Sequence, residues 1–115
     1  MQIRVSVYAM DPELRSWLVD ELQLMTWPTG IDLQAVLELE AIAPGRDLVI
    51  VGLDGLRPEQ LSALGAPTIA IGTALSGVSF DRVLPANVTS RQLRQAIREL
   101  LFAGRPQSGV AEPTV

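Results

Sequence analysis

The fold is decided by the stretch Asp47-Leu48-Val49-Ile50-Val51-Gly52-Leu53-Asp54-Gly55. Its centre is a run of four apolar residues, and the last three of these are β-branched. Such a run is typical of a strand that is buried on both faces, as in a parallel sheet. Pro44-Gly45 before it and Asp54-Gly55 after it are turn signals. Because ligands bind at the carboxyl ends of parallel strands, we expect any site to lie at residues 52–55.

The amino-acid composition excludes several kinds of chemistry. The chain of 115 residues contains no Cys and no His, and all nine basic residues are Arg. Imidazole bases, Cys/His metal sites and catalytic or phosphate-binding lysines are therefore impossible. We expect a protein that is not an enzyme and has no metal site and no cofactor. The sequence has neither a signal-peptide layout nor a membrane-spanning apolar run, so we expect a cytoplasmic protein that does not bind membranes.

The charge is unevenly distributed along the chain. The net charge is −4, which argues against nucleic-acid binding by this domain. Residues 1–81 have a net charge of −7, whereas residues 82–115 have a net charge of +3. This polarity is explained either by ordinary solvation or by a docking face.

The hydrophobic periodicity predicts alternating strands and helices. Gln2 to Tyr8 alternates as a strand, with Arg4 and Ser6 on its polar side. Asp11 and Pro12 open a helix that runs to about residue 23. Further strands are predicted within 29–33 and at 68–71 and 80–84, and further helices at 34–43, 58–64 and 90–103. This order predicts an α/β fold, a flavodoxin-like, doubly wound, five-stranded parallel sheet.

Four segments, taken in order, resemble the receiver domain of bacterial response regulators. They are the first strand leading into Asp-Pro-Glu-Leu-Arg at 11–15, Asp-Leu-Val-Ile-Val at 47–51, Pro-Thr-Ile-Ala-Ile at 67–71, and Val-Leu-Pro-Ala-Asn-Val-Thr-Ser at 83–90. The resemblance covers about residues 2–103. We therefore expect a receiver-like domain at 1–104, followed by a flexible tail or linker at 105–115, where no periodicity is present.

The same resemblance implies that this receiver is degenerate. A working receiver needs an acidic pair that holds Mg²⁺, a phosphoacceptor Asp, a Thr or Ser, and a Lys. At these positions the chain has Ala9 and Met10, Gly52, Gly72 or Thr73, and Ala86, respectively. Asp11 is explained as a helix cap, and Asp54 as a turn residue or an offset phosphoacceptor. The resemblance thus implies a pseudo-receiver that has no phosphoacceptor at its usual position.

The connection before the last strand is unusually short. Thr73 to Asp81 is nine residues, and a parallel crossover needs a dozen or more, so we expect the receiver's fourth helix to be shortened or missing. Receivers generally signal and dimerise through this region. We therefore predict protein contacts at Arg82, Val83, Leu84, Arg91, Arg94 and Arg98. Two alternatives remain open: Arg82 could protect a strand edge, and the helix arginines could form a solvated face.

Two functions are compatible with the sequence. The first is a phosphorylation-independent protein-interaction module in bacterial signalling, localisation or assembly, which binds a protein partner, its own downstream domain, or a second copy through the last strand and last helix. Degenerate receivers resembling this one occur in front of DNA-binding domains, of ParA-like ATPases and of motility adaptors. The alternative is a small-molecule or nucleotide-binding module that uses the small, Gly-rich loops at the sheet's carboxyl edge.

Overall fold

A computed structural model of the chain describes residues 2–27, 30–42, 45–53, 56, 66–72 and 80–103. Within these ranges, five strands form one sheet in the order β2-β1-β3-β4-β5. The strands are β1 (Ile3–Tyr8), β2 (Ile31–Val36), β3 (Leu48–Gly52), β4 (Thr68–Ile71) and β5 (Arg82–Leu84). All four pairings are parallel. The predicted five-stranded parallel α/β architecture is therefore confirmed.

Two helices begin where the sequence predicts their caps. Helix α1 (Pro12–Leu24) has Asp11 as its N-cap, whose Oδ1 accepts a hydrogen bond from the Glu13 N–H at 2.9 Å. Helix α2 (Ser90–Arg98) begins with a capping box formed by Thr89 and Gln92. These side chains satisfy backbone donors that have no partner inside the helix. After α2 the chain continues as a π-helical turn at Glu99–Ala103, so the predicted final helix changes its hydrogen-bonding pattern near its end.

The predicted helix at 34–43 is wrong. Strand β2 continues through Val36, and only a short 3₁₀ helix at Leu39–Ala41 follows it. Strand β2 pairs with β1 over six residues, from Ile3 opposite Ile31 to Tyr8 opposite Val36. These non-local hydrogen bonds and the packing of β2 outweigh the helix propensity of the segment.

One face of the sheet packs against both helices and forms the larger part of the core. Its fully or almost fully buried members are Val5, Val7, Leu18, Leu22, Leu48, Ile50, Ile69, Ile71, Leu93, Ala96 and Ile97. Residues of α1 and α2 thus share one core with residues of the three central strands. All five residues of β3 are buried, as the uninterrupted apolar run predicts.

The opposite face has a second, smaller apolar cluster. Its members are Tyr8, Val36, Leu39, Val49, Val51, Leu53, Leu56 and Ala70. This cluster also buries Ser6, which was expected on a polar side of β1. The Ser6 hydroxyl donates a hydrogen bond to Oε1 of Gln34 on β2 at 2.9 Å. Ser6 is therefore accommodated by a partner on the neighbouring strand, because a buried hydroxyl without an acceptor would be costly.

Several predictions concern residues outside the described ranges. These are the helix at 58–64, the shortened or missing fourth helix within 73–79, and the tail at 105–115. The predicted last strand at 80–84 is observed as the shorter β5. No helix in the described part of the chain is long and apolar enough to cross a membrane.

Candidate functional site

The carboxyl edge of the sheet is where a receiver would bind its metal and phosphate. Two backbone hydrogen bonds extend the strand pairing at this edge by one residue. The Leu53 N–H donates to the Ile71 oxygen and the Gly72 N–H donates to the Leu84 oxygen, both at 2.9 Å. These two amides are thus engaged by neighbouring strands, and they are not free to bind a phosphoryl oxygen.

Gly52 ends β3 in a space that apolar atoms already fill. A β-carbon at this position would lie 3.1 Å from Cδ2 of Leu14 and 3.3 Å from Cβ of Ala9. Ala9 is buried, and Leu14 packs against the core from the first turn of α1. The position of the phosphoacceptor therefore has no room for a side chain without a shift of its neighbours.

Positions 9–11 follow β1, where an acidic pair would hold the metal. Met10 is 58% exposed, and the Asp11 carboxylate is engaged as the cap of α1. Arg15 reaches back from α1, and its Nη1 donates a hydrogen bond to the Ala9 oxygen at 2.8 Å. The charged side chain that contacts the end of β1 is therefore a cation, which would repel a metal ion rather than bind it.

Of the two remaining receiver positions, one falls on Gly72 or Thr73 and the other on Ala86, which has no reactive side chain. Gly72 has a φ of +125°, a conformation that favours glycine. Ala86 is exposed in the turn after β5. In the described part of the chain, no group of three or more acidic side chains could hold a metal ion. Asp54 and Thr73 lie outside the described residues.

The predicted protein-contact residues lie on β5 and α2. The three residues on β5 do not all point to the same face of the sheet. Arg82 and Leu84 are two residues apart and so point to the face of α2, whereas Val83 points to the other face. Leu84 packs against the larger core, and Val83 is 44% exposed. The exposed apolar side chain of β5 is therefore that of Val83.

Arg82 is held by residues of its own chain. Its Nε donates to Oε1 of Glu99 at 3.0 Å, and its Nη1 donates to the Asp81 oxygen at 2.8 Å. The hydrogen bond from Arg82, followed by one from Gln95, lowers the pKa of Glu99 from its ordinary value of 4.5. Arg82 thus ties the edge strand to the end of α2.

The three arginines of α2 line one depression of about 470 Å³, together with Gln95 and Glu99. We call this surface the arginine groove. Arg94 forms an ion pair with Glu21 of α1, Nη2 to Oε1 at 3.5 Å. Arg91 and Arg98 are exposed and have no ion-pair or hydrogen-bond partner among the described residues. The spacing along α2 thus places the three arginines on one surface, and the tertiary structure neutralises Arg94 through Glu21.

Sequence reasoning did not identify Leu14, Arg15 and Glu21 as parts of these surfaces. Leu14 belongs to the apolar stripe of α1, which predicts burial but not contact with Gly52. The position of Arg15 four residues after the cap Asp11 places it on the first turn, near the end of β1. Glu21 has no local signal, because its pairing with Arg94 is non-local.

The architecture is shared with two solved structures. A CheY-like response regulator protein from Mesorhizobium loti matches with a TM-score of 0.69 and 16% identity, covering 87% of this chain and 99% of that chain. The pilus assembly protein CpaE from Caulobacter crescentus matches with a TM-score of 0.59 and 18% identity, covering 87% of this chain and 94% of that chain. No protein-family model and no curated protein matches the sequence.

These likenesses define the fold as that of a receiver-like domain. The five-stranded parallel sheet with flanking helices matches the CheY-like receiver fold. Because fold does not specify function, the role of this chain must be argued from the surfaces described above.

Proposed function

We propose that this chain is a pseudo-receiver, a regulatory protein-interaction module of the bacterial cytoplasm that works without phosphorylation. The observation that carries the proposal is the contact between Leu14, Ala9 and Gly52. In a phosphate-accepting receiver this point must hold a carboxylate beside a metal ion. Here apolar atoms lie 3.1 and 3.3 Å from the place of a β-carbon. Phosphate chemistry at this position would need both a new side chain and a new space.

Charge at the same edge supports the proposal. The guanidinium of Arg15 contacts the end of β1, and the chain has no lysine. A metal ion and a lysine neutralise the transferred phosphoryl group in this kind of chemistry. A single arginine bound to a backbone carbonyl supplies neither a metal ligand nor a free cation for the phosphate.

The last strand and the last helix, which form part of the surface that receivers use for protein contacts, are present. Strand β5 is an edge strand with the exposed Val83, and α2 has the arginine groove beside it. An edge strand with an exposed apolar side chain is a suitable surface for a partner. We therefore place the interaction on β5 and α2. The likeness to a domain of a pilus assembly protein makes an assembly system one setting for this module.

Incubation with acetyl phosphate and Mg²⁺, followed by intact-mass measurement, tests the proposal. We expect no phosphoryl adduct, and no change in Trp fluorescence when beryllofluoride and Mg²⁺ are added. An adduct that disappears in the Asp54→Asn variant would overturn the proposal and assign the phosphoacceptor to Asp54. A receiver of known activity, treated in parallel, shows that the reagents work.

Thermal denaturation with nucleotides tests the small-molecule alternative. Ligands that bind only the folded state raise its melting temperature by mass action. We expect no nucleotide to change the melting temperature, because Leu14, Ala9 and the paired amides of Leu53 and Gly72 occupy the carboxyl edge. Saturable stabilisation by one nucleotide would favour the alternative over the interaction module.

A further inference from the structure

We infer that the arginine groove on α2 binds an acidic segment of a different protein. This inference rests on the proposed function, since it names the partner chemistry of that interaction surface. The groove is lined by Arg91, Arg94, Gln95, Arg98 and Glu99. Its chemistry is that of guanidinium groups, which bind carboxylates through two parallel hydrogen bonds.

The pairing of charges around the groove leaves two cations unmatched. Arg82 engages Glu99, and Arg94 engages Glu21. The carboxylates of Glu99 and Glu21 are therefore already paired. Arg91 and Arg98 have no carboxylate partner within the described residues. The groove thus offers two exposed guanidinium groups that no carboxylate of the described residues engages.

Arg94 also lines the groove, and its side chain is 42% exposed. Its Nε is buried and has no hydrogen-bond partner among the described atoms, whereas its Nη2 faces Glu21. Arg94 lies between Arg91 and Arg98 along α2, at the middle of the groove. Arg94 is therefore a central contact, and Arg91 and Arg98 are the outer contacts.

The spacing of the outer arginines defines the shape of the partner. Arg91 and Arg98 are seven residues apart on one helix, which corresponds to about 10 Å along its axis. A helical segment with Glu or Asp at i and i+7 has carboxylates at the same spacing on one face. A third carboxylate midway would lie over Arg94.

The charge of the groove and of the chain also argues against two other occupants of the arginine groove. In a two-fold dimer built on α2, the groove of one copy would face the same groove of the other. Arg91 and Arg98 would then approach like charges, which is unfavourable in an interface. A nucleic acid would meet a chain with a net charge of −4, which repels the phosphate backbone at long range. An acidic protein segment would contact only the groove, and two or three carboxylates are enough to pair with its arginines.

Fluorescence anisotropy with synthetic peptides tests the inference on the full chain. The probe is a labelled Ala-rich helical peptide with Glu at i, i+3 and i+7, and the control peptide has Lys at the same positions. We expect saturable binding of the Glu peptide only, weakening as salt is added. Arg91→Gln and Arg98→Gln should each weaken binding by about three- to tenfold.

A matched variant separates the effect of the groove on peptide binding from the effect of net charge. Gln23→Glu on the exposed side of α1 changes the net charge by the same amount as Arg91→Gln, and we expect it to leave binding within about twofold. Equal losses in both variants, or no binding of the Glu peptide, would overturn the inference. So would tighter binding of a short single-stranded DNA, or a dimer in light scattering that Arg98→Gln abolishes or strengthens.

The two proposals fail in different ways. A phosphoryl adduct would refute the phosphorylation-independent function whatever the peptides do. Absence of both the adduct and Glu-peptide binding would refute the acidic partner alone and leave the interaction module with Val83 and β5 as its surface. Circular dichroism of each variant shows that it is folded before binding is compared.

Discussion

Cδ2 of Leu14 lies 3.1 Å from the point where a β-carbon on Gly52 would be. Leu14 belongs to the first turn of α1, and Gly52 is the last residue of β3. The contact therefore joins the helix that follows β1 to the central strand at the carboxyl edge. It packs the core at the same point where phosphate chemistry would need an open, charged position.

Gly52→Asp should therefore destabilise the protein without creating a phosphate site. We expect a loss of about 1–3 kcal/mol in the free energy of unfolding, because the side chain is overpacked and its carboxylate is placed among apolar atoms. Urea denaturation, followed by the fluorescence of Trp17 and Trp27, measures the change. Gly52→Ala is the control and should cost less, since its methyl group has no polar atoms. Wild-type stability together with Mg²⁺ binding in Gly52→Asp would contradict this account.

Removing the acceptor of the Ser6–Gln34 hydrogen bond should lower the free energy of unfolding more than removing its donor. Ser6 is fully buried, whereas Gln34 is half-buried. Gln34→Leu removes the acceptor of the buried hydroxyl and should cost about 1–3 kcal/mol. Ser6→Ala should cost less, because the amide of Gln34 still reaches water.

A double-mutant cycle in urea measures this coupling. The double variant Ser6→Ala/Gln34→Leu should be more stable than Gln34→Leu alone, since it contains no unpaired hydroxyl. Purely additive losses would show that the hydrogen bond between β1 and β2 has no coupling energy.

We expect Arg46 to stabilise the folded state through its hydrogen bonds rather than to act as a solvated surface charge. Its side chain is 7% exposed, and its Nη2 donates to the Val5 oxygen at 2.9 Å and to the Asp32 oxygen at 2.8 Å. Arg46→Met should lower the free energy of unfolding by about 1–3 kcal/mol because two carbonyls lose their donor. Arg46→Lys should also destabilise, since an ammonium group lacks the planar fork.

Arg91→Gln is the control for the Arg46 variants, and its free energy of unfolding is measured in the same urea titration. Arg91 has no partner among the described residues, so we expect its replacement to change stability by no more than about 0.5 kcal/mol. Equal effects at the two positions would mean that Arg46 does not stabilise the pairing of β1 and β2.

The Arg82–Glu99 pair should make stability depend on pH in the acidic range. The hydrogen bond from Arg82 lowers the pKa of Glu99 in the folded state below its ordinary value of 4.5. A group with a lowered folded pKa stabilises the fold above the unfolded pKa, and this contribution is lost as pH falls through the folded pKa. NMR titration of the Glu99 carboxyl carbon measures the value directly.

Arg82→Gln supplies the control for this titration. Without the guanidinium, the pKa of Glu99 should rise toward 4.5, and the acid sensitivity from this pair should disappear. An unchanged Glu99 titration in Arg82→Gln would show that the ion pair does not form in solution.

The candidate site divides into parts that the sequence predicts and parts that it does not. The absence of a side chain at Gly52 and of lysine from the chain is visible in the sequence alone. The same is true of the three arginines on the last helix, whose spacing predicts a common face. The sequence does not predict that Leu14 packs against Gly52 or that Glu21 pairs with Arg94, since both contacts join residues distant in the chain.

The sequence by itself determined the elements whose signals are local. The apolar run of β3, the alternation in β1, and the caps Asp11 and Thr89 fix strands and helix starts through short-range geometry and hydrogen bonding. Only the tertiary structure decided that Gln34 belongs to a strand, since its ladder partner is Ser6, 28 residues away. The same holds for the burial of Arg46 and the closed contact at Gly52. Such features depend on which surfaces meet after the chain has folded, and a local pattern contains no information about that meeting.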